Sequence, residues 1–255
     1  PKKQKKNLSV WQLEASPTST ENLAMYLAGI EAESVVTDAA SEPHVADLLR
    51  LLQKMGAGVE GVGSNRLKIK GKKLLTGAKF VPGPDFVDIA GYMVAAAITN
   101  GKITIKGANI PEIVNGLINW FELFGVKIVR KGKDLVVSLA RSLEMDLTSG
   151  EVPLAAPGLP KLLPRPWPGF PVDVIPVMAT LACKTKGRLL LQNWMYESGL
   201  EFVRELSAMG ANIFISDPQR VVIEGPVNFV GGEMMPPKVI QAAKAVFLAA
   251  LADEA

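Results

Sequence analysis

Three segments of this chain end in the same way, and that recurrence constrains its fold more than anything else in it. They are Leu51-Leu52-Gln53-Lys54-Met55-Gly56-Ala57, Trp120-Phe121-Glu122-Leu123-Phe124-Gly125-Val126 and Glu205-Leu206-Ser207-Ala208-Met209-Gly210-Ala211. Each glycine stands where a helix C-terminus favours a left-handed residue, and strand-like sequence follows each one. The spacing predicts helices over 42–55, 110–124 and 196–209. In the first two, Val45, Leu48, Leu49, Leu52 and Val114, Leu117, Ile118, Phe121 fall on one helical face. Pro43 and Pro111 occupy first turns, where a missing N–H costs nothing.

Upstream of each lies a helix that is apolar nearly all round, over 20–28, 87–98 and 172–184, as expected of a helix buried on both sides. A short strand separates the two helices of each pair, at 34–38, 102–106 and 188–192. A hairpin follows, clearest at 211–216 and 220–224 across Asp217-Pro218-Gln219. The unit is β-α-β-α-β-β. A fourth copy opens at Met234-Met235-Pro236-Pro237 with a helix over 239–252, giving about three and a third units. The longer interval between Gly125 and Gly210 holds a Pro-rich connector, 147–171. The fold class expected is α/β, an α+β repeat.

Composition removes several kinds of chemistry. With one cysteine and one histidine, a disulfide framework, a cysteine zinc cluster, a multi-histidine metal site and a Ser-His-Asp triad lack material. Cys183, late in an apolar helix, reads as a core residue, and His44 as a first-turn helix residue. The longest apolar runs, 90–98 and 242–252, are shorter than the roughly 20 residues of a membrane span, so a cytoplasmic globular protein is expected. Net charge is +3, much of it in the opening Pro1–Lys6. That run reads as a solvated terminus; no aromatic-interleaved basic stripe follows it, and no nucleic-acid partner is expected.

Five stretches carry a resemblance. They are Glu14-Ala15-Ser16-Pro17-Thr18-Ser19-Thr20-Glu21-Asn22; Ala40-Ser41-Glu42-Pro43-His44-Val45-Ala46-Asp47 with Met55-Gly56-Ala57; Pro84-Asp85 running into Met93-Val94-Ala95-Ala96-Ala97; Trp167-Pro168-Gly169-Phe170-Pro171-Val172-Asp173; and Trp194-Met195-Tyr196-Glu197-Ser198. Together, and in this order, they resemble the enolpyruvyltransferase family, on the branch that acts on UDP-N-acetylglucosamine rather than the shikimate branch.

The resemblance implies an inside-out α/β barrel architecture, two domains of three β-α-β-α-β-β units each, with the active site in the cleft between domains. Residues 1–83 would be the last unit of the first domain, and 84–255 two units and the start of a third in the second. It implies transfer of the enolpyruvyl group of phosphoenolpyruvate to the 3-hydroxyl of UDP-N-acetylglucosamine, in peptidoglycan precursor synthesis, without metal or other cofactor. It also implies Asp173 as the general base for that hydroxyl, the loop Glu14, Ala15, Ser16 and Pro17 at the uridine diphosphate, and Met195 touching the sugar through its backbone. From the residues alone Asp173 has a second reading, a carboxylate capping the helix that follows it.

The sequence departs from the family where the family carries charge. Glu14 and Pro17 replace a lysine and a small residue, Gly199 an arginine, Val239 and Gln241 an aspartate and an arginine, and Phe86 a basic residue. Anionic substrates depend on such cations. Two function classes therefore stand at this stage: an enolpyruvyltransferase, or a non-catalytic divergent or truncated homologue serving as a nucleotide-sugar-binding or assembly scaffold. A lone first-domain unit leaves apolar surface to cover, which implies a homo-oligomer or further chain; the alternative is that the three complete units close into one domain.

Overall fold

A computed structural model describes residues 7–139, 142–145, 159–235 and 237–252. The opening basic run through Lys6, and Pro153 and Pro157 of the connector, lie outside the described residues. The chain divides into two compact units, residues 1–83 with 166–168, and 84–165 with 169–255.

The first unit runs β1 (Ser9–Trp11), α1 (Pro17–Ala28), β2 (Glu33–Thr37), α2 (Pro43–Lys54), β3 (Gly58–Glu60) and β4 (Arg66–Lys70). Its sheet has the order β1-β2-β4-β3, with β1 parallel to β2 and the other pairs antiparallel. Leu27, Leu49, Leu67 and Ile69 are fully buried between this sheet and the two helices. Burial of each such side chain is worth about 1.5–3 kcal/mol.

The second unit opens with α3 (Phe86–Ile98), β5 (Lys102–Ile105), α4 (Pro111–Leu123), β6 (Val126–Lys131) and β7 (Asp134–Leu139). It continues through β8 (Lys161–Leu162), a 3₁₀ turn at Val172–Val174, α5 (Ile175–Lys184), β9 (Gly187–Gln192), α6 (Val203–Ala208), β10 (Asn212–Asp217), β11 (Arg220–Gly225) and α7 (Ile240–Leu251). Its sheets are ordered β5-β7-β6 and β8-β9-β11-β10. The second of these repeats the first unit's pattern strand for strand, including the parallel outer pair, Lys161 opposite Leu190 and Leu162 opposite Leu191. In the middle repeat no parallel strand lies beside β5 among the described residues. The chain before α3, Val81-Pro82-Gly83-Pro84, has prolines that cannot donate to a ladder.

Helices α3, α5 and α7, the first helices of successive repeats, pack on one another. Their composition explains it: α5 is buried from Ile175 through Cys183, and alanines on α3 and α7 let the backbones approach. Thr180 Oγ1 donates to the Ala245 carbonyl at 2.9 Å, so the one polar side chain of this stretch of α5 is satisfied inside the contact. Cys183 is fully buried, and desolvation pushes its thiol up to about 12, as expected of an inert core residue.

The three terminal glycines have the backbone that the repeat requires, with φ of 103° at Gly56, 82° at Gly125 and 92° at Gly210. At the first and third, the next residue closes the helix: Ala57 N–H donates to Leu52 O and Ala211 N–H to Leu206 O, both at 3.0 Å. The hairpin turn 217–219 is present. There the Asp217 carboxyl is held below its usual range by a hydrogen bond from Arg220, then by the Gln219 N–H.

The third helix differs from its expected span. Instead of 196–209, α6 covers only Val203–Ala208, and residues before it form successive i→i+3 turns, among them Gly199 N–H to Tyr196 O and Glu201 N–H to Ser198 O, each at 3.2 Å. Buried Asn193 ties these turns together. Its Oδ1 accepts from the Met195 and Tyr196 N–H groups at 3.2 and 3.4 Å, and its Nδ2 donates to the Gly199 carbonyl at 3.3 Å. One side chain thus joins two backbone N–H groups to the Gly199 carbonyl across the turns, the pattern of an Asx turn.

Candidate functional site

The second unit contains a cavity of about 820 Å³, in the size range of small-molecule sites. Three elements make it. The turn at the start of α5 contributes Asp173 and Pro176, the segment from Asn193 to Glu205 contributes Tyr196, Ser198 and Phe202, and the start of α7 contributes Gln241 and Ala242. All three positions follow from the repeat, since each is where a helix begins or a strand ends.

Asp173 lies in the 3₁₀ turn, half-buried at the cavity wall. Asp173 is not the N-cap residue of α5, which is Val174; it is the acidic residue in the first turn of the 3₁₀ segment that leads into α5. Its Oδ1 accepts a long hydrogen bond, 3.4 Å, from Gln241 Nε2 on α7. Gln241 is one of the positions where the resemblance leads one to expect an arginine; a neutral amide therefore stands beside the carboxylate in place of a cation. Phe86, another such position, is buried in the core at the start of α3. Val239, the N-cap residue of α7, is exposed.

Met195 sits on the turn held by Asn193, and its N–H is already committed to Asn193 Oδ1. A backbone contact from Met195 to a ligand therefore falls to its carbonyl oxygen. Glu14, Ala15, Ser16 and Pro17 belong to the first unit. Pro17 starts α1, and Ser16 is its N-cap, the hydroxyl accepting from Ser19 N–H at 3.4 Å, with Glu14 exposed. Behind this loop, buried Thr20 donates to Gln12 Oε1 and accepts from Ala40 N–H, both at 2.9 Å, which fixes the start of α1 against the end of β2.

Two residues of the cavity escaped sequence reasoning. Asn193 was legible in principle, because an asparagine directly after a strand and ahead of Gly199 is a turn-forming pattern. Glu205 was not: its Oε2 is buried at the cavity wall and meets no hydrogen-bond donor among the described residues, a property only the packing reveals. Among the described residues no group of three or more His, Cys, Asp or Glu is placed to hold a metal ion, and no helix is long and apolar enough to cross a membrane.

The architecture has known counterparts. The enolpyruvyl transferase NikO from Streptomyces tendae superposes with a TM-score of 0.79 at 18% identity, over 97% of this chain and 58% of that one. The EPSP synthase from Acinetobacter baumannii gives 0.65, also at 18% identity, over 97% of this chain and 56% of that one. These likenesses define a mixed α/β fold of the enolpyruvyl transferase kind. The sequence profile of EPSP synthase (3-phosphoshikimate 1-carboxyvinyltransferase) matches residues 4–255, and the chain belongs to this enolpyruvyl transferase family. Among curated relatives, the UDP-N-acetylglucosamine 1-carboxyvinyltransferase of Treponema denticola is 37% identical over 93% of this chain, and that of Borreliella burgdorferi 35% identical over 94%. The chain spans about half the length of these relatives, 54% and 55%.

Proposed function

We propose that these residues form the acceptor-sugar part of an enolpyruvyl transferase that carries the carboxyvinyl group of phosphoenolpyruvate to the 3-hydroxyl of UDP-N-acetylglucosamine, a cytoplasmic step of peptidoglycan precursor synthesis. The observation that carries the reading is Asp173, a carboxylate at the wall of a ligand-sized cavity, held there by a neutral amide. An alcohol is a weak nucleophile until its proton leaves, and a carboxylate within hydrogen-bond reach takes that proton as the new C–O bond forms. Protonation of the donor's CH2 carbon to a methyl group completes the addition, and loss of phosphate together with one proton from that methyl group restores the double bond.

On this reading residues 1–83 are the last repeat of one domain, and 84–255 are two repeats and the opening of a third in the next. Each domain is of the inside-out kind, with the first helices of the repeats packed in the middle. The loop Glu14–Pro17 meets the diphosphate through backbone N–H groups at the start of α1, and the Met195 carbonyl meets the sugar. A second reading, a nucleotide-sugar-binding scaffold without turnover, is favoured by one observation: Glu14, Gly199, Val239 and Gln241 bring no positive charge.

Calorimetric titration of the 255-residue chain with UDP-N-acetylglucosamine tests the proposal. Asp173→Ala is expected to weaken binding about 10- to 100-fold, the worth of a hydrogen bond to a charged group. Unchanged affinity in the variant removes Asp173 from the site. Release of phosphate from phosphoenolpyruvate then separates the enzyme from the scaffold.

A further inference from the structure

We infer that the outer face of the β5-β7-β6 sheet is a docking surface for a membrane leaflet rich in anionic phospholipid, held by charge at the headgroups. The inference goes beyond the proposed transfer chemistry and does not depend on it.

Strand alternation divides this sheet into two faces. Ile103, Ile105 and Ile128 pack against the core of the second unit. Their neighbours Lys102, Thr104, Lys127, Val129 and Lys131 are exposed on the opposite face. The register sets Lys102 and Lys127 on either side of Ser138, and Lys131 opposite Asp134. Lys106, one residue past β5, pairs with the Asp134 carboxylate at 3.2 Å. Four lysines thus mark the corners of a patch. It measures about 13 Å along the strands and about 10 Å across them, from four residues at about 3.3 Å and two strand spacings of about 4.8 Å. The residues between the corners, Thr104, Val129, Val136, Ser138 and Asp134, are all shorter than lysine, so the ammonium groups reach furthest.

The charge on this sheet is unbalanced. Residues 102–106 and 126–139 hold six cations and one carboxylate, in a chain whose net charge is +3. That carboxylate, Asp134, is already committed: besides Lys106, it accepts the Gly107 N–H at 2.9 Å. Arg130 turns away to Asn109 and Asn115. Lys102, Lys127 and Lys131 make no ion pair among the described residues. The other two sheets differ. In the first unit Lys68 stands between Glu33 and Glu60, at 3.2 and 3.9 Å. In the sheet that holds β9, β11 and β10, Arg188 meets Glu224 at 3.2 Å and Arg220 meets Asp217 at 2.6 Å. Like charges fixed on one face repel, and an anionic surface laid against them relieves that repulsion.

The make-up of the face selects the partner. Protein partners are gripped by aromatic or arginine anchors, and single-stranded nucleic acid by aromatic platforms. The strands β5, β6 and β7 contain no Trp, Tyr or Phe, and their one arginine is occupied. A lysine is a flexible point charge without a fixed fork of donors. That suits headgroups which diffuse laterally, and each lysine near an anionic leaflet raises partitioning roughly fivefold.

Co-sedimentation of the full chain with phospholipid vesicles tests the inference. The chain is expected to sediment with vesicles of phosphatidylcholine and phosphatidylglycerol at about 0.1 M salt, and to stay in solution with phosphatidylcholine alone. Release is expected at about 1 M salt, where the screening length falls to about 3 Å. Lys102→Glu with Lys127→Glu reverses two unpaired, exposed lysines and is expected to weaken partitioning at least about 25-fold, with circular dichroism unchanged. The same reversal in the opening basic run, Lys5→Glu with Lys6→Glu, alters net charge equally and is expected to cost less than about threefold, since screening confines the attraction to charges at the docked face. No sedimentation with the anionic vesicles overturns the inference, as does an equal loss from the two pairs of substitutions. Release of the chain from vesicles by random-sequence DNA at matched phosphate concentration also overturns it and assigns the face to nucleic acid.

Discussion

Gly225→Ala is expected to destabilise the second compact unit by at least about 2 kcal/mol, the upper part of the range for inserting a methyl where there is no room. A Cβ on Gly225 would overlap the Thr185 carbonyl and lie 2.6 and 2.8 Å from the carbonyls of Ala182 and Cys183. These are backbone atoms at the end of α5, which cannot rotate away as a side chain would. Gly71 in the first unit occupies the matching place: it follows β4, and its Cβ would overlap the Ile30 and Leu27 carbonyls at the end of α1. In both repeats the end of the last strand is pressed against the last carbonyls of the first helix, and only glycine permits that approach. Urea unfolding should show the midpoint falling with the slope unchanged in Gly225→Ala, and a comparable loss in the first unit for Gly71→Ala. A change below about 0.5 kcal/mol at both sites contradicts the packing described.

Phe121→Ala should cost about 3–5 kcal/mol, the usual range for removing a buried aromatic ring. Phe121 is on the inner face of α4 with no exposure, and Phe124 beside it is equally buried. The ring has nowhere to be replaced from, because α4 is fixed at both ends, by Pro111 in its first turn and by Gly125 after its last. Trp120, which meets Phe170 edge-on at 5.6 Å between ring centroids, reports the change through its fluorescence. Phe214→Ala is the control. That ring lies on β10 with 68% exposure, and its loss should stay within about 0.5 kcal/mol.

Local rules made much of this fold legible. The glycine caps, the first-turn prolines, the faces of α2 and α4 and the hairpin across 217–219 all depend on residues a few positions apart, and each is present. What escaped depends on contacts between distant residues or on side-chain bonds to the backbone. Asn193 joins the 195 and 196 N–H groups to the Gly199 carbonyl, and α6 starts only at Val203. The first strand of the unit is not formed directly ahead of α3, where Pro82 and Pro84 bring no N–H to a ladder.

The site divides along the same line. Asp173 was singled out from the stretch around it, but its partner Gln241 is 68 residues away and was noticed only as a substitution. The chain makes a 3₁₀ turn before α5, so the N-cap position falls to Val174 and Asp173 stands one residue ahead of it. Glu205 entered only as part of the recurrent helix end, and its buried oxygen is a property of the packing around α6.

A crystal structure of the chain with UDP-N-acetylglucosamine tests most directly the central claim, that Asp173 faces an acceptor hydroxyl. The sugar is predicted to lie in the cavity of the second unit, with a ring hydroxyl about 2.6–3.2 Å from the Asp173 carboxylate, the reach a general base needs. A nucleotide sugar bound elsewhere, with the cavity empty and Asp173 still bonded to Gln241, contradicts the account.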